Sequence, residues 1–271
     1  MHFDLTDNRT CGPSSDEPNW SSWDIATHGP TPRPDWVITA LSALDSELGI
    51  LKTGKEADVH LVRRTDSSGY AALMAAKRYR NSDHRMFHRD AGYAEGRRVR
   101  RSRETRAMSR RTEFGRELLS AQWAGAEFAA LTALWQLGAP VPYPVQLLGT
   151  ELMLEFVGDE DGTAAPRLAQ LRPDPDELAC LYEQCVAAML MLAGAGYAHG
   201  DLSPYNLLVH QGRLVMIDLP QVVDLVANPQ GPDYLHRDCE NVCTWFVRRG
   251  LETAEFEHLF GDLMAEAVGA W

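Results

Sequence analysis

The stretch that most constrains this 271-residue chain is His199-Gly200-Asp201-Leu202-Ser203-Pro204-Tyr205-Asn206, together with the run of residues from Leu207 to Asp218. Leu207 to His210 and Leu214 to Ile217 are short apolar runs on either side of Gln211-Gly212. A glycine-containing two-residue turn between such runs predicts a β-hairpin. Counting pairs outward from the turn sets His210 opposite Arg213, Leu208 opposite Val215 and Asn206 opposite Ile217. Asn206 and Asp218 then lie side by side at the open end, with Asp201 in the loop before them. An amide oxygen and a carboxylate are hard ligands that suit Mg²⁺. A second carboxylate nearby, Asp201, can take a proton from an attacking hydroxyl. Asp and Asn are also ordinary loop residues. It is the whole string, with an aspartate closing the next hairpin, that points to phosphoryl transfer.

Length and composition allow a cleft enzyme. A chain of 271 residues can form one large domain or two lobes with a real core. Hydrophobic residues make up 45% and charged residues 24%, as in an ordinary soluble protein. The longest nearly apolar run, Val186 to Ala198, is too short and too rich in Gly and Ala to span a bilayer, so no membrane partner is expected. The first residues carry Asp4, Asp7 and Arg9 with no apolar run behind them, unlike a signal peptide. Five cysteines, at 11, 180, 185, 239 and 243, read as reduced thiols of a cytoplasmic protein. Cys239 and Cys243 beside His236 are expected on one helix face rather than around zinc.

Charge is unevenly spread. Residues 84–116 hold eleven arginines against four acids, a local +7; with a total of −12, the rest of the chain carries −19. Such a segment is expected to meet something anionic, RNA phosphates or an acidic partner, through its Arg-rich part, 97–116. Ser102, Thr105, Ser109 and Thr112 within it are candidate phosphorylation sites.

In chain order, residues 1–34 have no hydrophobic period and are expected to be a disordered tail. Trp20 and Trp23 stand out there, as a clip onto the body or as a docking motif. Asp35 to Leu48 predicts a helix, with Trp36, Val37, Ala40, Leu41 and Leu44 at helical spacing, Asp35 as N-cap and Gly49 as stop. Leu51 to Ala57 is a Gly-Lys turn before a strand from Asp58 to Arg63. Gly49 to Lys55 fits the spacing of a P-loop, but Glu56 stands where Ser or Thr belongs and a strand comes next. Ala71 to Tyr79 predicts the partner strand, carrying Lys77. Residues 80–116 break the pattern, and Glu117 to Leu137 resumes as a helix. Glu127 falls on its apolar stripe, where a carboxylate needs a partner; Lys77 is the natural one. Val145 to Leu148 and Leu152 to Val157 read as strands, and Glu155 to Gly158 as the crossing between lobes. Helices are expected over Pro175 to Ala198, Pro232 to Arg248 and Leu251 to Ala267.

Taken together, Thr53 to Ala57, Ala76 to Tyr79, Trp123 to Glu127, Glu155 to Gly158, Ala165 to Leu168, His199 to Asn206, Ile217-Asp218, Gln221 and Arg237 to Cys239 resemble the RIO family of atypical serine/threonine protein kinases, over roughly 45–250. The resemblance implies an α+β, bilobal protein-kinase-like fold. Its N-lobe, 35–157, would be an antiparallel sheet with one long helix and the basic flexible loop 80–116. Its C-lobe, 158–271, would be reduced and mainly helical. Thr53, Gly54, Lys55 and Glu56 would cover the phosphates of ATP. Lys77 would bind α- and β-phosphates and pair with Glu127. Backbone at Glu155 to Val157 would hold adenine, Asp201 would be the base, and Asn206 and Asp218 would bind Mg²⁺, with Mn²⁺ as a substitute. The chain departs from the family at Lys52, usually Ser, and at Leu219-Pro220. No winged-helix domain is expected, which favours the first subfamily. Three functions stand as alternatives: protein serine phosphorylation including autophosphorylation, an ATPase switch on a ribosomal RNA–protein particle, and a small-molecule phosphotransferase like aminoglycoside or choline kinases. A pseudokinase scaffold is disfavoured because Lys77, Glu127, Asp201, Asn206 and Asp218 are all present.

Overall fold

The computed structural model describes residues 19–80, 113–219, 222–225 and 227–269. Chain order begins with β1 (Asn19–Trp20), a 3-10 turn at Trp23–Ile25 and β2 (Thr27–His28). Then come β3 (Leu44–Thr53), β4 (Ala57–Thr65), β5 (Ala71–Tyr79) and helix α1 (Glu113–Gln136). β6 (Pro144–Leu148) and β7 (Glu151–Glu155) complete a seven-stranded antiparallel sheet ordered β1-β3-β4-β5-β7-β6-β2. The second lobe holds α2 (Pro175–Gly194), β8 (Tyr197–Ala198), the hairpin β9 (Leu207–His210) and β10 (Arg213–Met216), β11 (Val223–Asp224), α3 (Gly231–Arg248) and α4 (Phe256–Gly269). This is the bilobal, kinase-like α+β architecture. Pro220 and Gln221 lie outside the described residues.

Two expectations for the first fifty residues are corrected. The tail expected over 1–34 is ordered from Asn19 onward; residues 1–18 lie outside the described residues. Trp23 is the reason. It is buried at 6% exposure, stacks on His28 at 3.9 Å between centroids, and packs with Val62, Met74 and Met153 on the sheet. Trp20, by contrast, is exposed. The helix expected at 35–48 is absent: Leu44–Thr53 is a strand paired along its length with β4. Trp36 and Val37 still serve a core, but from an irregular segment lying on the sheet. The apolar spacing there satisfied a helical period by chance, and strand pairing outweighed it.

Arg64 fixes the curl of the sheet. It is fully buried on β4, donates Nε and one terminal nitrogen to Asp45 of β3 at 2.7 and 2.8 Å, and donates the other to Gln146 of β6 at 3.0 Å. Gln146 Nε2 donates in turn to Ser22 Oγ at 2.8 Å. Strands far apart in the sheet order thus meet through one guanidinium.

The remaining elements keep the expected order with shifted ends. α1 starts at Glu113, four residues before the expected start. Most of the basic segment, 81–112, lies outside the described residues, and so do its hydroxyls and the expected anionic contact. α2 stops at Gly194 because Gly196 takes φ +79° and Tyr197–Ala198 pairs with β11. α4 starts only at Phe256, because Gly250 at φ +101° turns the chain and Leu251 N bonds back to Phe246 O. α2 is, by length and composition, apolar enough to cross a bilayer, and it is longer than the run from Val186 to Ala198. Its apolar face (Leu181, Cys185, Met189 and Leu192 among others) lies in the core of this lobe with α3 and α4. His236 packs on the Phe256 and Phe260 rings, while Cys239 and Cys243 face the same core.

Candidate active site

The site is a cavity of about 620 Å³ between the lobes. Its roof is the turn between β3 and β4. Gly54 N donates to Ala57 O at 3.0 Å, and a Cβ on Gly54 would sit 2.8 Å from that oxygen, so only glycine closes this turn without displacement. Gly54, Lys55 and Glu56 line the cavity. Thr53 does not. It is paired across the turn with Asp58, and its hydroxyl donates to that carboxylate. Thr53, expected with the rest of the turn over the phosphates, thus turns its side chain to Asp58 and leaves the cavity wall to Gly54, Lys55 and Glu56.

Lys77 comes from near the C-terminal end of β5, on the face opposite Met74 and Ala76. Its ammonium donates to Glu127 Oε1 at 2.8 Å and to Asp218 Oδ1 at 2.7 Å. Glu127 is 1% exposed on α1, and its other oxygen accepts from the Tyr79 hydroxyl two residues along β5. Burial works against charge on Lys77, but the two carboxylates outweigh it and hold the ammonium above its usual pKa. Burial alone would raise the Asp218 carboxyl; contact with Lys77 outweighs that and leaves it lowered. Tyr79 is pushed up, first by burial and then by Glu127, so it stays a donor. In the sequence Tyr79 stands out only as the last letter of Ala76 to Tyr79. The signal for its role is the period of two that places it on the Lys77 face.

The hairpin register is as counted from its turn: Arg213 pairs with His210 and Val215 with Leu208. Ile217 N donates to Asn206 O at 2.9 Å, which brings Asn206 beside Asp218. Asp218 has φ +66°, a left-handed backbone that Asp tolerates better than most residues and that recurs at functional sites. Asn206 Nδ2 donates to Asp201 O at 2.9 Å, so its amide fixes the loop from within while Oδ1 remains as an acceptor. Asn206 is buried and is not part of the cavity wall; Asp201 and Asp218 are.

The loop is held from below by Asp238 on α3, 1% exposed, which accepts from Gly200 N at 2.8 Å and Leu202 N at 2.7 Å. Asn241 Nδ2 donates to Leu202 O at 3.0 Å, and His199 Nε2 donates to Ile217 O at 3.1 Å. Burial raises the Asp238 carboxyl, against the pull of His199 and the two backbone N–H groups. The sequence marks Asp238 only as part of Arg237-Asp238-Cys239; no local pattern shows that a helix residue will reach back 36 positions to a loop.

On the far wall, Glu155 N donates to Tyr143 O at 2.9 Å and Tyr143 N to the Glu155 carboxylate at 3.0 Å. This pins the strand end where the chain crosses lobes. A Cβ on Gly158 would meet Thr163 O at 2.3 Å, so the crossing is compact there. Glu155, Phe156 and Val157 line the cavity, and Ala75, Leu131, Leu208 and Ile217 add apolar surface to its wall.

A buried Lys–Glu pair joining sheet to helix, an apolar cavity wall beside a lobe crossing, and Asp201, Asn206 and Asp218 on a loop and hairpin below define a protein-kinase-like site. The family model of the RIO domain matches residues 62–259, and the chain belongs to the RIO family. It is 35% identical over 223 residues to the RIO-type serine/threonine-protein kinase Rio1 of Haloferax volcanii, covering 81% of this chain and 70% of that one. It is 32% identical to serine/threonine-protein kinase rio1 of Schizosaccharomyces pombe and 29% to RIO1 of Saccharomyces cerevisiae, over 80% and 81% of this chain. The chain spans 41% and 48% of those longer fungal relatives.

Proposed function

We propose that this protein is a RIO-type kinase that transfers the terminal phosphoryl group of ATP to a protein serine, itself included. The observation that carries this reading is the meeting of Lys77, Glu127 and Asp218 across the cavity from Asp201, with the related chains named as serine/threonine-protein kinases. In this reading adenine lies in the slot at Glu155 to Val157, and Gly54 to Glu56 cover the phosphates. Lys77, already fixed by Glu127, gives a placed positive charge for the α- and β-phosphates. Asp201 takes the proton from the serine hydroxyl. The serine oxygen forms a bond to the terminal phosphorus as the bond from that phosphorus to the β–γ bridging oxygen breaks, leaving ADP.

The donor set fits Mg²⁺. Asn206 Oδ1 and the Asp218 carboxylate are hard oxygens, and Asn206 commits only its NH₂ to the loop. Mg²⁺, when bound by these two residues, neutralises charge that develops on the phosphate oxygens. Among the described residues no cysteine is in a disulfide, which accords with the proposed cytoplasmic setting.

The test is label transfer from γ-labelled ATP with Mg²⁺ to the purified protein, with Asp201→Ala and Asp218→Ala alongside. Label stable to hydroxylamine, and lost in Asp201→Ala while nucleotide binding persists, is the expected result. Label that hydroxylamine strips, and that only Asp218→Ala removes, would replace the kinase with an ATPase working through an aspartyl phosphate.

A further inference from the structure

Lys77 cannot neutralise a triphosphate unaided, because its ammonium already lies against two carboxylates. The cavity wall carries four basic and five acidic side chains, so before any metal arrives its charge does not favour an anion. The other three, Lys52, Lys55 and Arg167, differ from Lys77; Lys55 sits in the turn itself, while the remaining two face each other's lobe. Among the described residues neither Lys52 nor Arg167 takes part in a salt bridge, and each comes from a different lobe.

The backbone aims both groups inward. β3 has a register irregularity between Ile50 and Lys52, so Lys52 pairs with Val59 while Ile50 pairs with His60. Successive strand residues normally face opposite ways. The bulge breaks that alternation, and Leu51 and Lys52 both line the cavity. Arg167 caps the short 3-10 helix Leu168–Gln170. It is fixed by Gln170 N to Arg167 O at 2.8 Å, by its own N–H to Gln170 Oε1 at 2.8 Å, and by a bridge to Leu208 on β9. The two side chains line the same cavity. Burial and then the Arg167 charge lower the Lys52 pKa, against the attraction of Asp218, and Lys77 adds to the repulsion. Cations held near each other and near a candidate metal-binding aspartate are relieved by an anion placed between them.

We propose that Lys52 and Arg167 form a two-lobe clamp on the terminal phosphate of the bound nucleotide, making this protein select a nucleoside triphosphate over the diphosphate. The clamp rests on the phosphotransfer reading and assigns positioning residues to it. It draws the turn above the cavity toward the large lobe only when a third phosphate is present.

The test is calorimetric binding of Mg·ADP and of the Mg complex of the β,γ-imido analogue of ATP to the full chain. Wild type, Lys52→Met, Arg167→Met, the double variant and Lys52→Arg are compared. Each Met variant should weaken the analogue about tenfold, the scale of one charge-assisted hydrogen bond, and leave ADP within about twofold. Retained ADP binding shows that the variant is folded. The double variant should lose less than the product of the single losses, because both groups hold one phosphate. Lys52→Arg should recover most of the affinity. Equal weakening of both nucleotides, or no weakening of the analogue, overturns the clamp and leaves the kinase reading standing. A wild-type protein that binds neither nucleotide overturns the kinase reading, and the clamp with it.

Discussion

Lys77 on β5 and Asp218 at the end of the β9–β10 hairpin touch at 2.7 Å although 141 positions separate them. The same ammonium holds Glu127 at 2.8 Å. The contact between the lobes and the Lys–Glu pair therefore share one group.

Lys77→Met should reveal how dependent Glu127 is on that group. The variant leaves a 1% exposed carboxylate that keeps the Tyr79 hydroxyl as a donor and loses its cation. Breaking a buried pair from one side costs about 3 kcal/mol. Urea unfolding should show that loss, and Glu127→Gln added to Lys77→Met should return most of it. Equal stability of wild type and the single variant would mean that Glu127 finds water in the cavity.

Two aspartates should separate buried from exposed ion pairs. Asp45→Ala strands the buried Arg64 and should cost about 3 kcal/mol. Asp58→Ala removes the partner of Arg80, whose side chain is 44% exposed, and should cost far less, because solvent screens the pair. Thermal unfolding of the two variants side by side decides it. Similar losses would show that Arg64 is not confined by the sheet.

Asp238→Ala should disable the site without touching it. Two buried N–H groups, of Gly200 and Leu202, lose their acceptor, at about 1–3 kcal/mol each. Phosphoryl transfer should fall at least about tenfold, since misplacing a catalytic group by about 1 Å can cost about a hundredfold. Nucleotide affinity should change far less, because Asp238 is not on the cavity wall. Asp238→Asn, which keeps one acceptor oxygen, should recover part of the rate.

Acid should weaken the ladder His60–Glu47–Arg78–Glu151 on the sheet. Burial would raise the Glu47 carboxyl, but Arg78 at 2.7 Å and His60 at 2.6 Å lower it below its ordinary 4.5. A carboxyl with a depressed folded pKa stabilises above its unfolded pKa and loses that contribution as pH falls through the folded one. Glu47→Gln should thus lower the melting temperature at pH 6 by an amount that shrinks to nothing as pH falls below the ordinary carboxylate range. The effect is about 1 kcal/mol or less, because the pair is partly exposed. A gap that persists at pH 2.5 would assign the loss to packing.

Legibility in the sequence tracks the range of the interactions involved. The β9–β10 register was legible because Gln211-Gly212 sets it within a few residues, and Asn206 and Asp218 came from counting. Lys77 and Glu127 were legible because a charge on an apolar stripe needs a partner. Arg64 was not, since on an alternating strand it reads as a solvent-facing arginine, and only the curl of the sheet brings Gln146 to it from 82 positions away. Leu44–Thr53 does not read as a strand, because its bulges and Gly49 at φ +142° erase the period of two that marks one. Asp238 and Tyr79 were visible as letters and acquire roles only once α3 meets the loop and β5 meets α1.

The ten residues Asn19–His28 occupy both margins of the sheet, β1 beside β3 and β2 beside β6. Seven strands laid flat would set those margins roughly 29 Å apart. The chain from Trp20 to Thr27 reaches at most about 25 Å even when fully extended, and part of it is coiled at Trp23–Ile25. The small lobe is therefore a hoop tied with its own thread. It cannot flatten while both pairings hold, and neither margin is free over its whole length to take up a foreign strand. The two lobes are joined not only by the chain at Glu155–Gly158 but also by Lys77 on Asp218 and by the core that Phe128, Leu131 and Leu134 share with α2.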